Sequence, residues 1–209
     1  MNYYIAREGW PFIGIALAIF VITLTISSLL ALPFLALLLF VVWFFRNPER
    51  DIPEDKSMLV SPADGTVLDV LPLEGGGTRI NIFMSVFNVH VNRIPVSGVI
   101  KKIDYNKGKF LVASMDKASL DNEQNAITIE EEGGRTVKFV QIAGLVARRI
   151  VCYLKEGDAV VKGESFGMIR FGSRVDVYIS GVFSPKVVKG EKVHAGSTIL
   201  GILGSGLTS

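Results

Sequence analysis

The sequence predicts a mainly β domain, folded as a β-sandwich, that follows an N-terminal transmembrane helical hairpin. Three observations support this fold class. A long uncharged stretch lies near the N-terminus, short runs of alternating apolar residues fill the rest of the chain, and glycine, proline and aspartate separate those runs. The 209 residues suit one domain with an appendage and exclude a large multidomain enzyme.

The uncharged stretch covers residues 9–45. As one helix it would measure roughly 55 Å, nearly twice a hydrocarbon core of about 30 Å. Pro33 and the polar residues just before it offer a break, so we predict two helices, 11–28 and 30–45. A single tilted span with a re-entrant part and a cleaved signal peptide are the alternatives.

The flanks of this hairpin predict its orientation. A hairpin leaves the N-terminus and the remaining chain on one side of the membrane, and Arg7, Arg46 and Arg50 flank it. The positive-inside rule makes that side cytoplasmic. We therefore expect a cell-membrane anchor over residues 1–45, a polar linker over 46–56 and a cytoplasmic domain over 57–209.

The domain after the linker shows the period-2 alternation of strands. The runs that predict strands are 65–70, 79–83, 126–129, 136–142 and 174–179. Residues 143–154 are compatible with a short helix, and residues 110–122 with a helix or an irregular segment.

Two segments of this domain, 157–163 and 190–196, share the pattern G-x-x-V-x-x-G. Each precedes an apolar run, at 165–170 and at 197–203. Paired glycine-bounded turns of this kind are typical of a hairpin sandwich of the biotinyl/lipoyl type. The alternative is that any two β-turns with glycine at both ends look alike.

The composition excludes several classes of function. The chain has 22 basic and 20 acidic residues, so it lacks the excess of positive charge that a nucleic-acid binder usually shows. One cysteine and two histidines exclude an intramolecular disulfide and predict that the protein has no metal site. Neither the G-x-G-x-x-G nor the P-loop motif is present.

Few residues remain as candidates for chemistry. His90 lies in an apolar segment crowded with polar groups, whereas His194 lies in the second repeat turn and reads as an exposed turn residue. Asp64 precedes a glycine, which is also an ordinary turn pair. At Gly172-Ser173, a serine hydroxyl could attack the preceding carbonyl if a base and oxyanion donors lay nearby.

Five local strings give these residues a context. They are SPADGTV at 61–67, FNVHVNRIPVSG at 87–98, DKASLDNEQN at 116–125, AGLVARRIVCY at 143–153 and FGMIRFGSRVDVY at 166–178. In this order they resemble the phosphatidylserine decarboxylase family, in its short membrane-anchored class, over about residues 46–200. An archaeal relative acting on archaetidylserine would share these motifs.

The resemblance implies a pyruvoyl-dependent lyase that cleaves itself between Gly172 and Ser173. Ser173 would become a covalent pyruvoyl group, and the two fragments would stay together as a heterodimer. The substrate would be a serine-headgroup phospholipid in the membrane. Its amine would form a Schiff base with the pyruvoyl ketone, which would accept the electrons released with carbon dioxide.

The resemblance also implies roles for individual residues. His90 matches the histidine that would protonate the product, and Asp64 matches an aspartate that supports self-cleavage. Arg93 stands where longer relatives have a second histidine, which leaves the base for self-cleavage open. Arg93 is also a candidate contact for the substrate carboxylate or phosphate.

Two alternatives remain at this point. The bonds Gly196-Ser197 and Gly204-Ser205 superficially imitate the cleavage site of the longer class, although the string around Gly172-Ser173 favours that bond. The chain could instead be a membrane-tethered biotinyl/lipoyl-like binding module, which would not be cleaved.

Overall fold

A computed structural model describes residues 4–108, 122–144, 149–170 and 173–204. The chain divides into two compact units, Met1–Glu49 and Arg50–Ser209. In the described residues, the first unit contains two helices and the second contains fourteen strands. The mainly β class with two N-terminal helices is therefore confirmed.

The first unit is a pair of apolar helices, α1 at Gly9–Ile26 and α2 at Ser28–Phe44. Ser27 lies between them with an extended backbone, which ends one helix and starts the next. The backbone N–H of Ala6 donates to the carbonyl of Phe45 over 2.8 Å. Because this bond joins the start of α1 to the end of α2, the two helices form a hairpin.

The helix break differs from the predicted position. The chain turns at Ser27, two positions before the predicted break between residues 28 and 30, and Pro33 lies inside α2. A proline removes only one backbone donor, and apolar helices tolerate that loss where other groups compensate for it. Thr25 fits within α1 because its Oγ1 donates to the carbonyl of Ile22 over 2.7 Å. In the described residues, α1 is long and apolar enough to cross a membrane, and α2 is a shorter apolar helix.

The second unit is built from short strands. The first seven are β1 (Met58–Val60), β2 (Gly65–Pro72), β3 (Thr78–Met84), β4 (Val91–Arg93), β5 (Gly98–Asn106), β6 (Gln124–Glu130) and β7 (Thr136–Ala143). The others are β8 (Ile150–Cys152), β9 (Ala159–Val160), β10 (Ser165–Ile169), β11 (Ser173–Ile179), β12 (Phe183–Pro185), β13 (Lys192–Val193) and β14 (Ile199–Leu203). All five strands predicted from alternation are present.

These strands form three antiparallel sheets. The large one has eight strands in the order β13-β2-β3-β11-β7-β6-β5-β9. Two three-stranded sheets have the orders β1-β14-β12 and β4-β10-β8. Strand β11 lies inside the large sheet, paired with β3 on one side and β7 on the other.

One hydrophobic core joins the large sheet to both small sheets. Every second residue of β6 is buried, because alternate side chains of a strand point to the same face. The core combines Phe139 from the large sheet with Phe166 and Leu200 from the two small sheets. The rings of Phe139 and Phe166 meet edge to face with centroids 5.2 Å apart. The small sheets therefore cover one face of the large sheet.

The two segments of the internal repeat occupy equivalent places. Segment 157–163 contains β9 at one edge of the large sheet, and segment 190–196 contains β13 at the other. Their four terminal glycines, Gly157, Gly163, Gly190 and Gly196, all have positive φ angles. A Cβ at Gly163 or Gly196 would also lie within 2.9 Å of Cδ1 of Ile52. The glycines are thus required by backbone conformation and, at these two positions, by space.

Two predicted elements differ or cannot be compared. The helix predicted at 143–154 is wrong where the structure describes it, because Ala143 ends β7 and Ile150–Cys152 forms β8. The carbonyl of Arg149, just before β8, accepts a hydrogen bond from the backbone N–H of Arg170, just after β10. Sheet pairing therefore overrides the helical spacing of these residues. Most of the segment 110–122 lies outside the described residues.

Candidate active site

Ser173 is the first residue of β11 and is completely buried, with 0% of its surface exposed. Its backbone pairs with Met84 of β3 and Ala143 of β7. The Ser173 hydroxyl donates to Sδ of Met84 over 3.3 Å. Thioether sulfur is a weak acceptor, so this contact orients the hydroxyl without binding it strongly. Gly172, its predicted partner in cleavage, lies outside the described residues.

The residues that follow Ser173 fix the start of this strand. Arg174 and Asp176 lie on one face of β11 and are both buried. Nη2 of Arg174 donates to Oδ2 of Asp176 over 3.0 Å, and Nη2 of Arg79 on β3 lies 3.5 Å from the same oxygen. Buried charges are stable only when paired in this way. The ion cluster therefore ties the beginning of β11 to its neighbour β3.

His90 is buried and lies beside the segment that leads to Ser173. Its carbonyl accepts a hydrogen bond from the backbone N–H of Ile169 over 3.4 Å. Ile169 is the last residue of β10 and precedes Ser173 by four residues. The next strand, β4, continues the antiparallel pairing with β10. The predicted acid therefore lies beside the end of β10, and the predicted nucleophile follows that end by four positions in the sequence.

A chain of buried side-chain amides ends next to Ser173. Nδ2 of Asn125 donates to Oε1 of Gln141 over 3.0 Å, and Nε2 of Gln141 donates to Oδ1 of Asn92 over 2.9 Å. Because Oδ1 of Asn92 accepts from Gln141, its Nδ2 faces the carbonyl of Pro62, at 3.4 Å, and Sδ of Met84, at 3.8 Å. Asn92 and Ser173 therefore share Met84 as a neighbour. No local sequence pattern predicts this chain of amides, since its members are up to 49 positions apart.

Asp64 lies at the centre of a second polar group. Both of its carboxylate oxygens accept from Nη2 of Arg50 at 2.9 Å, and Oδ1 also accepts from the backbone N–H of Ala195 at 2.8 Å. Nδ1 of His194 lies 3.4 Å from Oδ2. The side chain of His194 is 59% exposed, as predicted for a turn residue, yet it contacts the predicted site residue Asp64. In the sequence, Arg50 was interpreted as a charge flanking the membrane hairpin, and its bond to Asp64 was not predicted.

Arg93 packs beside this group. Its backbone N–H donates to the carbonyl of Pro62 over 2.9 Å, and its Nη1 donates to the carbonyl of Gly163 over 2.9 Å. Burial lowers the pKa of Arg93, the charge of Arg50 lowers it further, and Asp64 acts in the opposite direction. Arg93 thus contributes a second buried guanidinium next to Asp64.

The sheet register sets the distance between Asp64 and Ser173. Asp64 directly precedes β2, and β3 lies between β2 and β11. Met84, at the end of β3, pairs with Ser173, while Thr66 pairs with the preceding residue, Phe83. Neighbouring strands lie about 4.8 Å apart, so the backbones of Asp64 and Ser173 are separated by about 10 Å. The register thus places the two predicted site residues about two strand spacings apart, without direct backbone contact.

A cavity of about 430 Å³ lies elsewhere on the same unit. Glu131, Arg135 and Lys162 are among its lining residues. Arg135 precedes β7, whereas Ser173 pairs with Ala143 at the other end of that strand. Seven residues of strand span about 23 Å, so this cavity is not part of the site around Ser173. The structure describes no group of three or more histidine, cysteine or acidic residues able to hold a metal ion among 4–108, 122–144, 149–170 and 173–204.

Comparison with known proteins identifies the family. The family model described as phosphatidylserine decarboxylase matches residues 37–201. Two proteins named phosphatidylserine decarboxylase proenzyme, from Burkholderia lata and Burkholderia cenocepacia, are each 49% identical over 209 residues, covering 96% of this chain and 98% of theirs. The protein of that name from Burkholderia multivorans is also 49% identical. The matched range 37–201 includes the positions of Asp64, His90 and Ser173, and the chain belongs to the phosphatidylserine decarboxylase family.

Proposed function

We propose that this protein is a self-processing decarboxylase that converts a serine-headgroup phospholipid into the ethanolamine lipid. The observation that carries the proposal is the position of Ser173, buried at the first residue of an interior strand and held on both sides. The relatives' names support it, since they are called both decarboxylases and proenzymes.

Self-cleavage begins at the hydroxyl of Ser173. Its Oγ attacks the carbonyl carbon of Gly172, the C–N bond breaks, and the serine nitrogen takes up the proton, which leaves an ester. Elimination across the Cα–Cβ bond then releases the carboxylate of Gly172 and leaves dehydroalanine at position 173. Hydrolysis of that residue gives a pyruvoyl group and ammonia. The sheet is compatible with this conversion, since the residues of β11 after position 173 pair with β3 and β7 and need not move.

The pyruvoyl group supplies an electron-accepting ketone, conjugated with an amide carbonyl, for the loss of carbon dioxide. The chain's own residues hold this position and exclude water from it, because Ser173 is buried and Met84 and Ala143 flank it. His90 donates the proton that replaces the carboxylate on the substrate carbon. Asp64 supports self-cleavage as a positioning residue, through its bonds to Arg50 and to the backbone of Ala195.

The two products of cleavage remain associated. The small fragment is the 37-residue chain from position 173 to the C-terminus, and its strands are interleaved with those of residues 1–172. β11 pairs along its full length with β3 and β7, and β14 pairs with β1. The mature protein is therefore a heterodimer of its own fragments, in a hairpin sandwich whose repeated turns resemble the biotinyl/lipoyl type.

The helical hairpin anchors the enzyme where its substrate is located. Apolar side chains along both helices are exposed, among them Ile15, Ile22, Leu29 and Leu39. Such a surface is stable in lipid and costly in water. With Arg7 and Arg46 at the ends of the hairpin, the positive-inside rule places the catalytic domain on the cytoplasmic side.

The test compares the purified full-length chain, in detergent, with Ser173→Ala and with Ser197→Ala as the matched control. Intact-mass spectrometry should find two fragments in the wild type, split after Gly172, with a pyruvoyl end on the smaller one. Ser197→Ala should be cleaved in the same way and Ser173→Ala should stay whole. Carbon dioxide release from phosphatidylserine micelles should follow cleavage.

Three other outcomes are informative. A folded wild-type chain that is never cleaved would contradict the proposal and favour a membrane-tethered binding module. A cut at Gly196 or Gly204 would keep the reaction but reassign the serine. Cleavage without carbon dioxide release would separate the processing chemistry from the proposed substrate.

A further inference from the structure

Four side chains form a basic cluster in the catalytic unit, namely Arg50, Asp64, Arg93 and His194. The carboxylate of Asp64 is the only acidic group of the cluster, and it is bonded to Arg50 and close to His194. The charge of Arg93 is close enough to both Arg50 and Asp64 to be affected by each of them. The cluster therefore carries two permanent positive charges against one negative charge.

This excess of positive charge is largely buried. The side chain of Arg50 is 13% exposed and that of Asp64 is 6% exposed. Among the described residues, the buried Nε–H of Arg50 has no acceptor. Two guanidinium groups in such a place repel each other, and a buried donor without an acceptor is destabilising. An additional anion would satisfy both the charge and the donor.

The cluster is open at one side and lies close to the reaction centre. His194, with its exposed ring, forms the open side. Arg93 belongs to β4, three residues after His90, and its neighbour Asn92 reaches toward Met84 beside Ser173. The backbone of Asp64 lies two strands, or about 10 Å, from that of Ser173. An anion held in the cluster would thus lie about two strand spacings from position 173, within reach of a headgroup attached there.

We propose that Arg50, Arg93 and His194 bind the phosphodiester of the phospholipid headgroup, with Asp64 holding the arginine of the linker in place. This inference rests on the proposed function. In a serine phospholipid, three covalent bonds separate the phosphorus from the carbon that loses carbon dioxide, so the phosphate must bind close to the pyruvoyl position. Guanidinium groups match phosphate oxygens in both charge and geometry, and a planar fork can bind two oxygens at once.

The experiment measures selectivity for phosphate. Full-length wild type, Arg50→Gln, Arg50→Lys and His194→Gln are compared on phosphatidylserine and on an O-alkyl serine, a phosphate-free amphiphile with the same amine and carboxylate. Arg135→Gln is the matched control, since Arg135 is also bonded to a buried carboxylate, that of Glu131, at the far end of the sheet. Intact mass establishes the fraction of each variant that is cleaved, and rates are given per cleaved molecule.

We expect Arg50→Gln to raise the KM for phosphatidylserine about tenfold or more, and to change kcat/KM for the phosphate-free amphiphile less than about twofold. Arg50→Lys and His194→Gln should show smaller losses in the same direction, and Arg135→Gln should match the wild type. Inorganic phosphate should compete with phosphatidylserine in the wild type and less well in Arg50→Gln.

Several results would overturn the inference. Equal losses on both substrates would make Arg50 a general structural residue. Weaker competition by inorganic phosphate with unchanged substrate selectivity would mean that the cluster takes a free anion and not the headgroup. If Arg50→Gln is not cleaved, the test rests on the other two variants. Unchanged selectivity in both Arg50→Lys and His194→Gln would then overturn the inference. A wild type that releases no carbon dioxide contradicts the proposed function itself, which separates the two failures.

Discussion

Replacing Gln141 with leucine removes the middle of the buried amide chain. Gln141 donates to Oδ1 of Asn92 and accepts from Nδ2 of Asn125, and all three residues are buried. Leucine has a similar volume but no polar atoms, so one acceptor and one donor lose their partner inside the protein. Each such group costs about 1–3 kcal/mol, which predicts a loss of roughly 2–6 kcal/mol in the free energy of unfolding.

That loss is large compared with the total stability of a domain, about 5–15 kcal/mol. For a unit of this size it corresponds to a decrease of roughly 5–20 °C in the melting temperature. Circular dichroism of the solubilised chain would measure it, in a Ser173→Ala background so that all samples are equally uncleaved. Self-cleavage of Gln141→Leu in the otherwise native chain should also slow down, because Asn92 and Ser173 share Met84.

A double-mutant cycle with Asn92→Ala provides the control. If the two side chains are coupled, the double variant Asn92→Ala/Gln141→Leu should be more stable than the sum of the single losses implies. Strictly additive losses, or an unchanged melting temperature in Gln141→Leu, would refute the reasoning that these bonds organise the core beside Ser173.

Two further predictions concern His90 and Cys152. His90→Gln should still yield cleaved chains but release carbon dioxide about 10²- to 10⁴-fold more slowly per cleaved molecule, because the proton donor is lost; full activity would contradict its role as the acid. Burial raises the pKa of the Cys152 thiol, so less of it is thiolate at neutral pH. Iodoacetamide should therefore modify this single cysteine more slowly than free cysteine at pH 7.5, and faster as the pH rises; equal rates at pH 7.5 would contradict the raised pKa.

Local features of the fold were predictable from the sequence. The strands β3, β6, β7 and β11 have regular apolar alternation, and the paired turns are delimited by glycines with positive φ. Segment 150–152 was assigned to a helix because the apolar residues of 143–154 also fit helical spacing. Only its pairing with β10 shows that it is a strand. The family strings singled out Asp64, His90 and Ser173 as candidate site residues, but they did not predict the contacts of these residues.

The contacts of the site depend on pairs that are distant in the sequence. Asp64 meets His194 and Ala195, about 130 positions away, and its bond to Arg50 joins the linker to the first turn of the domain. A single sequence contains no local signal for such pairs. Arg50 was interpreted as a charge that sets the orientation of the hairpin in the membrane. The sequence shows that it follows the apolar stretch, but not that it contacts Asp64.

β11, β13 and β14 pair with strands from the rest of the chain, and this interleaving limits when the enzyme can fold and whether it can refold. An intact chain folds as a single molecule. After the proposed cleavage, reassembly would require two separate polypeptides to find each other, at a rate that depends on their concentration. Under the proposed mechanism, the peptide bond and the serine that form the prosthetic group would no longer exist in the separated pieces. Folding must therefore precede maturation, and heat inactivation of the mature enzyme should be a one-way event.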